Sequence, residues 1–197
     1  MGRWLALELA STIRHDGDGG VTDDLDTLAG TRQWLASVAE LLDEPARLAA
    51  STLAEEERER ILELRRAVRA LFAHAVRPGP ASPADSGRLM PLDQATDHLN
   101  AAARHPVAPQ LLWPPDDIPT TRLASLAPEP VTAPLARAAV AFLTGPERAR
   151  LRACTAPRCV RYFVQSHGRQ AWCKPSCGNR ARVARHYRRQ HGPTSAT

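Results

Sequence analysis

The chain has 197 residues, 43% apolar and 24% charged, with a formal net charge of +5. That composition suits a soluble globular protein of one medium domain plus a smaller one. No run of about 18 apolar residues occurs, which excludes a transmembrane helix. The opening MGRWLALELASTIRHDG lacks a signal-peptide core and cleavage site, so the expected setting is cytoplasmic, where thiols stay reduced.

Charge is unevenly spread. Positions 146–197 carry 12 basic residues and one acid, Glu147, for a net of +11, while positions 1–145 are net −6. A basic segment joined to a mildly acidic body points to a polyanion partner for that segment. Aromatic residues make up only 5% of the chain, so Leu, Ala and Val must fill most of the core.

In chain order, RWLALELAST is a short apolar run whose period fits a strand or a buried helical turn. IRHDGDGG is expected to be a turn-rich loop. TDDLDTLAGTRQWLASVAELL reads as helical through Leu25, Leu28, Trp34, Leu35, Val38 and Leu41, with Gly30 expected as a break. The clearest helix follows. Thr52 and Glu55 have the spacing of a capping box, and Ile61, Leu64, Val68, Leu71, Phe72 and Ala75 form one stripe. Glu55, Glu56, Glu57 and Glu59 precede Arg65, Arg66 and Arg69, an order that suits the helix dipole.

Positions 77–87, RPGPASPADSG, read as a Pro/Gly-rich loop or linker. PLDQATDHLNAAARH is another helix, with Leu92, Ala95, Leu99 and Ala102 on one face. PQLLWPPDDIPTTRLAS is expected to form a small hairpin about its Pro-Pro-Asp-Asp turn. TAPLARAAVAFLTG is helical from a Thr132 cap to a Gly145 stop. The body is therefore mainly α with small β elements, and its histidines (His15, His74, His98, His105) show no ligand-like spacing.

All four cysteines lie in the basic segment: Cys154, Cys159, Cys173 and Cys177, in the pattern C-x4-C-x13-C-x3-C. Two close pairs separated by a dozen or so residues suit one tetrahedral zinc ion with a closed, structural site. Val160, Tyr162 and Val164 alternate as a strand, Ser166-His167-Gly168 is a turn, and Gln170-Ala171-Trp172 is expected to return as a second strand. The last pair then opens a basic helix with Pro175 near its start. Knuckle, hairpin and helix-borne ligand pair is the order of a treble-clef finger, whose metal supplies much of its folding energy. Disulfides conflict with a reducing compartment, no C-x-x-C redox pair is present, and an iron–sulfur cluster fits the spacing less well. His167, His186 and His191 are reserve ligands, expected not to bind.

On the last helix, Arg182, Arg185 and Arg189 share a face, with Arg188 beside them, and Val183 and Tyr187 are expected to pack on the hairpin aromatics. Such a row of guanidinium groups suits phosphate contacts. Asn179 and Arg180 have side chains able to read base edges, or, locally, to cap backbone and to hydrogen-bond the zinc thiolates. No paired carboxylates, nucleophile–base pair or phosphate loop stands out, so no enzyme is expected.

Trp172-Cys173, Cys177-Gly178-Asn179-Arg180-Ala181 and the helix beyond resemble the CGNR zinc finger over roughly 150–190, including its first cysteine pair and RYF continuation. That finger closes a family of bacterial proteins with an N-terminal ABATE domain, proposed as stress-induced transcription regulators. LALELAST, TRQWLASVAELL and LRRAVRALFAHAV are similar to segments of the ABATE part. The resemblance implies an ABATE-like helical domain over 1–145, a zinc finger over 146–192 and a tail over 193–197. It implies a zinc-binding protein with a role in transcription; the +11 segment on a zinc scaffold adds the expectation of DNA as partner, with the helical domain sensing a ligand or mediating association. The alternative is a zinc-stapled module that binds protein and not DNA.

Overall fold

The computed structural model describes residues 3–16, 20–85, 87 and 89–191; the expected tail lies outside them. Helix α1 (Leu5–Ala10) leads into the hairpin β1 (Ile13–His15) and β2 (Val21–Asp23). Helices α2 (Leu28–Ser37), α3 (Glu44–Ser51), α4 (Glu55–Ala75) and α5 (Leu92–Ala103) follow. The antiparallel hairpin of β3 (Val107–Leu112) and β4 (Thr120–Ser125) then precedes α6 (Thr132–Thr144). The last part contains β5 (Leu151–Ala153), β6 (Tyr162–Val164) and α7 (Pro175–His191). The fold is mainly α with small β elements, as composition and periodicity led us to expect, and the described residues form three two-stranded sheets.

Helix α4 is the central strut, packed by α1, α2, α5, α6 and β5. Its stripe of Ile61, Leu64, Val68 and Phe72 is buried among Leu9, Leu35, Leu135, Ala139 and Leu151. Each such side chain contributes about 1.5–3 kcal/mol by leaving water. The few aromatics form a relay through this core. Trp4 meets Phe142 edge-on at 6.2 Å, Phe142 lies 5.3 Å from Phe72, and Phe72 meets Tyr162 at 5.6 Å and 76°. The relay crosses α6 and α4 and ends on β6, so the strand between the two cysteine pairs is anchored in the body's core.

Several local expectations change. The turn-rich IRHDGDGG is largely the β1–β2 hairpin, with 17–19 outside the described residues. Gly30 does not break a helix. It sits in the first turn of α2, its N–H donating to the Thr27 cap at 3.0 Å. A Cβ there would stand 2.6 Å from the Asp24 carbonyl oxygen, so the site admits no larger residue without movement.

The Thr52–Glu55 capping box does not form, because Thr52 ends α3 and α4 begins behind Ala54 with no side-chain cap. Nor is Thr132 a cap. Its backbone N–H and hydroxyl donate to Glu57 Oε1 of α4 at 3.0 and 3.1 Å. A carboxylate from a neighbouring helix thus satisfies the orphan donors at the α6 N-terminus. Arg65 and Arg69 are not surface partners of the dipole but buried residues.

Arg65 holds Asp23 through two hydrogen bonds of 2.5 and 2.6 Å and donates to Thr12 Oγ1 at 2.9 Å, fixing the β1–β2 hairpin on α4. Arg69 binds more partners. Its guanidinium donates to both Asp85 oxygens (2.7 and 3.1 Å), the Ala10 carbonyl (2.5 Å), Ser82 Oγ (3.1 Å) and the Val160 carbonyl (3.3 Å). It also lies over the Tyr162 ring at 5.3 Å. Tyr162 donates its hydroxyl to Asp85 at 2.6 Å and accepts from the Ser82 N–H at 3.2 Å. The Pro/Gly-rich segment 77–87 therefore contains a buried latch, Ser82 and Asp85, between α4 and the cysteine-bearing part of the chain.

Two outcomes test this latch. Arg69→Ala strands the Asp85 carboxylate in the core and should cost about 3–5 kcal/mol in denaturant unfolding. Burial, then the hydrogen bond to Asp85, pushes the Tyr162 hydroxyl above its ordinary range. Above about pH 10 the unfolded chain ionises this tyrosine while the folded one keeps it neutral. Stability should therefore fall as pH rises beyond 10 in the native chain, and Tyr162→Phe should remove that component while costing about 1–3 kcal/mol at pH 7.

Candidate metal centre and basic helix

The cysteines converge from two turns and one helix end. Strands β5 and β6 pair in register, Leu151 with Val164 and Ala153 with Tyr162, and the first cysteine pair lies in the loop that joins them. Cys154 N–H donates to the Arg161 carbonyl at 2.9 Å and Cys159 N–H to that of Ala156 at 3.0 Å, closing a tight knuckle. Arg158 turns it in the left-handed region, φ 62°, a conformation that costs a non-glycine residue about 1–2 kcal/mol. The pairing differs from expectation: β6 pairs backward with β5, while Gln170-Ala171-Trp172 forms no strand. The stretch after β6 is a loop held by Gln165 and Gln170, whose side chains bond backbone groups of that same loop.

The second pair straddles the start of α7. Cys177 N–H bonds the Lys174 carbonyl at 3.0 Å, placing its Sγ one turn into the helix. Gly178 beside it lets Trp172 pack on the first turn, since a Cβ would stand 3.2 Å from the indole ring. The four sulfurs lie within 4.8 Å of one another, with Cys159–Cys173 at 3.7 Å and Cys173–Cys177 at 3.5 Å. Tetrahedral zinc with bonds of about 2.3 Å sets sulfurs about 3.8 Å apart, so the donor set and its size both fit. Cys154, Cys159 and Cys177 are buried with Ala156 and Phe163, and all four positions would be filled by protein, which suits a structural ion. Among the described residues this is the sole metal-capable cluster. His186 lies elsewhere on α7, and the side chain of His191 is outside the described residues.

Packed this closely, the thiols cannot all ionise without a cation. Cys154 is drawn down to about 3, chiefly by the hydrogen bond from Cys159, and Cys173 is pushed up, chiefly by its bond to Cys154. A divalent ion lets all four carry charge, leaving a net of −2. Two features offset that excess. The N-terminus of α7 faces the sulfurs, and Arg180 Nη2 donates to Cys177 Sγ at 3.2 Å with its Nε buried.

The candidate nucleic-acid residues separate. Arg182, Arg185 and Arg189 line one exposed face of α7 together with Val183 and His186. Arg180 and Arg188 border a different groove, shared with Pro157, Ala184 and Tyr187. Asn179 accepts from Arg182 and so is engaged within the helix. Val183 and Tyr187 do not pack on the hairpin aromatics: they are 69% and 62% exposed, because Trp172 and Phe163 turn toward the sulfurs and away from α7's outer faces. Arg180→Ala should weaken zinc affinity about 10–100-fold in a chelator competition, whereas Arg185→Ala should leave it unchanged.

Two family models match this chain. Residues 4–146 match ABATE, described as "Putative stress-induced transcription regulator", and residues 150–190 match the CGNR zinc finger. A search of curated proteins finds no match. The finger's four clustered thiols make it a binder of one structural zinc ion. No helix among the described residues is long and apolar enough to cross a membrane. With the first model covering well over half of its length, the chain belongs to the ABATE family and carries a CGNR zinc finger after that domain.

Proposed function

We propose that the protein is a DNA-binding regulator whose finger holds one zinc ion through Cys154, Cys159, Cys173 and Cys177 and presents α7 to the phosphate backbone. The observation that carries this reading is the exposed row of Arg182, Arg185 and Arg189 on a helix whose first turn holds Cys177, with Cys173 just before it in the same thiol cluster. A net charge of +11 over 146–197 supports it. Zinc sets the start of α7 and so aims that row outward; the row supplies affinity and salt dependence without reading sequence. Arg188 flanks the row, Asn179 holds Arg182 in place within the helix, and Arg180 serves the thiolates. The helical body senses a ligand or mediates association, and the setting is the cytoplasm.

Mobility shifts at low salt test this. Three phosphate contacts should give a slope of about −2.7 in log K against log salt, and Arg182→Ala with Arg185→Ala should reduce it by about 1.8. No binding to any duplex, or a double variant indistinguishable from the native chain, rejects the reading. Chelation should remove both DNA binding and the helical signal of α7. The N-terminal body should still melt cooperatively, because β5 and β6 are packed in its core.

A further inference from the structure

The β3–β4 hairpin has no part in that reading. Every residue from 109 to 123 is exposed, and among the described residues no other element packs closely on the pair. Its two faces differ. Register places Pro109, Leu111, Thr121 and Leu123 on one side, while Gln110 and Arg122 share the other and bond at 3.0 Å. Beyond the strands, Trp113 and Ile118 are 68% and 77% exposed on either side of Pro-Pro-Asp116-Asp117. A two-stranded ribbon with an apolar face is marginal alone in water, and clustered exposed apolar side chains mark a contact surface. The occupant is not nucleic acid, since the tip bears two acids and the arm's one arginine is bonded within it.

The matching surface is the second groove on α7. It encloses about 670 Å³ between the knuckle and the helix, with Pro157, Val183, Ala184 and Tyr187 as its apolar wall and Arg158 and Arg188 at its rim. At 100° per residue, Val183 and Tyr187 lie about half a turn around the helix from Arg185 and Arg189. The groove and the row of Arg182, Arg185 and Arg189 thus lie on different sides of α7, with Val183 at the border of both.

The geometry points to an exchange of arms between two copies of this chain. The tip of one inserts Trp113 and Ile118 into the α7 groove of the other, with Asp116 and Asp117 against Arg158 and Arg188. Apolar wall meets apolar side chain, and two acids meet two bases. A reciprocal contact closes a two-fold dimer. This inference does not rest on DNA binding.

Sedimentation equilibrium on the zinc-loaded full chain tests it. The native protein should be a dimer whose dissociation constant rises with salt, and Trp113→Ala with Ile118→Ala should raise that constant at least about tenfold. Charge exchange is the sharper arm. Asp116→Arg with Asp117→Arg, and separately Ala184→Glu with Arg188→Glu, should each be monomeric, and mixing the two should restore a heterodimer. Circular dichroism and zinc content confirm that each variant is folded. A native chain that stays monomeric at every concentration, a dimer unaffected by the arm substitutions, or a mixture that fails to associate overturns the proposal.

Discussion

One buried guanidinium ties the molecule together. Arg69 rises from the middle of α4 and donates to the end of α1, to the latch at Ser82 and Asp85, and to the carbonyl that follows Cys159. A charge this deep is tolerated only because a carboxylate, an aromatic face and three further acceptors surround it. Its partners come from segments far apart in sequence, so satisfying Arg69 requires the N-terminal helix, the latch and the finger's first hairpin to be in place together. That geometric demand sets where the knuckle stands relative to the body.

Zinc completes what Arg69 begins. The hairpin half of the finger is held by apolar contacts of Tyr162 and Val164 with the core. Among the described residues the helical half has no comparable core: Trp172 packs on Gly178, Ala181 is buried, and the sulfurs gather beside them. The metal therefore joins a half that is already packed to a half that is not. Arg180 and the helix end answer the negative charge this creates. The same anchoring leaves α7 with two exposed surfaces of different chemistry, one a row of guanidinium groups and the other an apolar wall with a basic rim.

Much of this was legible in the sequence because it depends on period and spacing. The α4 stripe, α5, α6, the Pro-Pro-Asp-Asp hairpin and the basic helix were placed by apolar recurrence and by breakers. The four cysteines were grouped by spacing alone. What escaped depends on which segments meet in space. Thr52 and Glu55 have the letters of a capping box, but Thr52 is the C-terminal cap of α3 and so cannot open α4. Thr132 resembles a cap, yet the cap comes from Glu57, some 75 positions earlier. Arg65 and Arg69 look like surface charges because nothing in their neighbourhood reveals Asp23 and Asp85. Segment 77–87 looks like a linker because Pro and Gly conceal one serine and one aspartate that are buried. The strand pairing was misplaced because a run such as Tyr162–Val164 pairs equally well, by local pattern, with either flank.

The hairpin's place in the core also bears on how the protein divides. By sequence the two family segments meet between residues 146 and 150. By packing, the seam runs about fifteen residues later, after Val164, since Leu151, Ala153, Tyr162 and Val164 all belong to the body's core. A finger transplanted at the sequence boundary would carry four core residues into water and leave Phe72 and Asp85 without their partner. The module marked by sequence and the module marked by packing are thus offset by one β-hairpin.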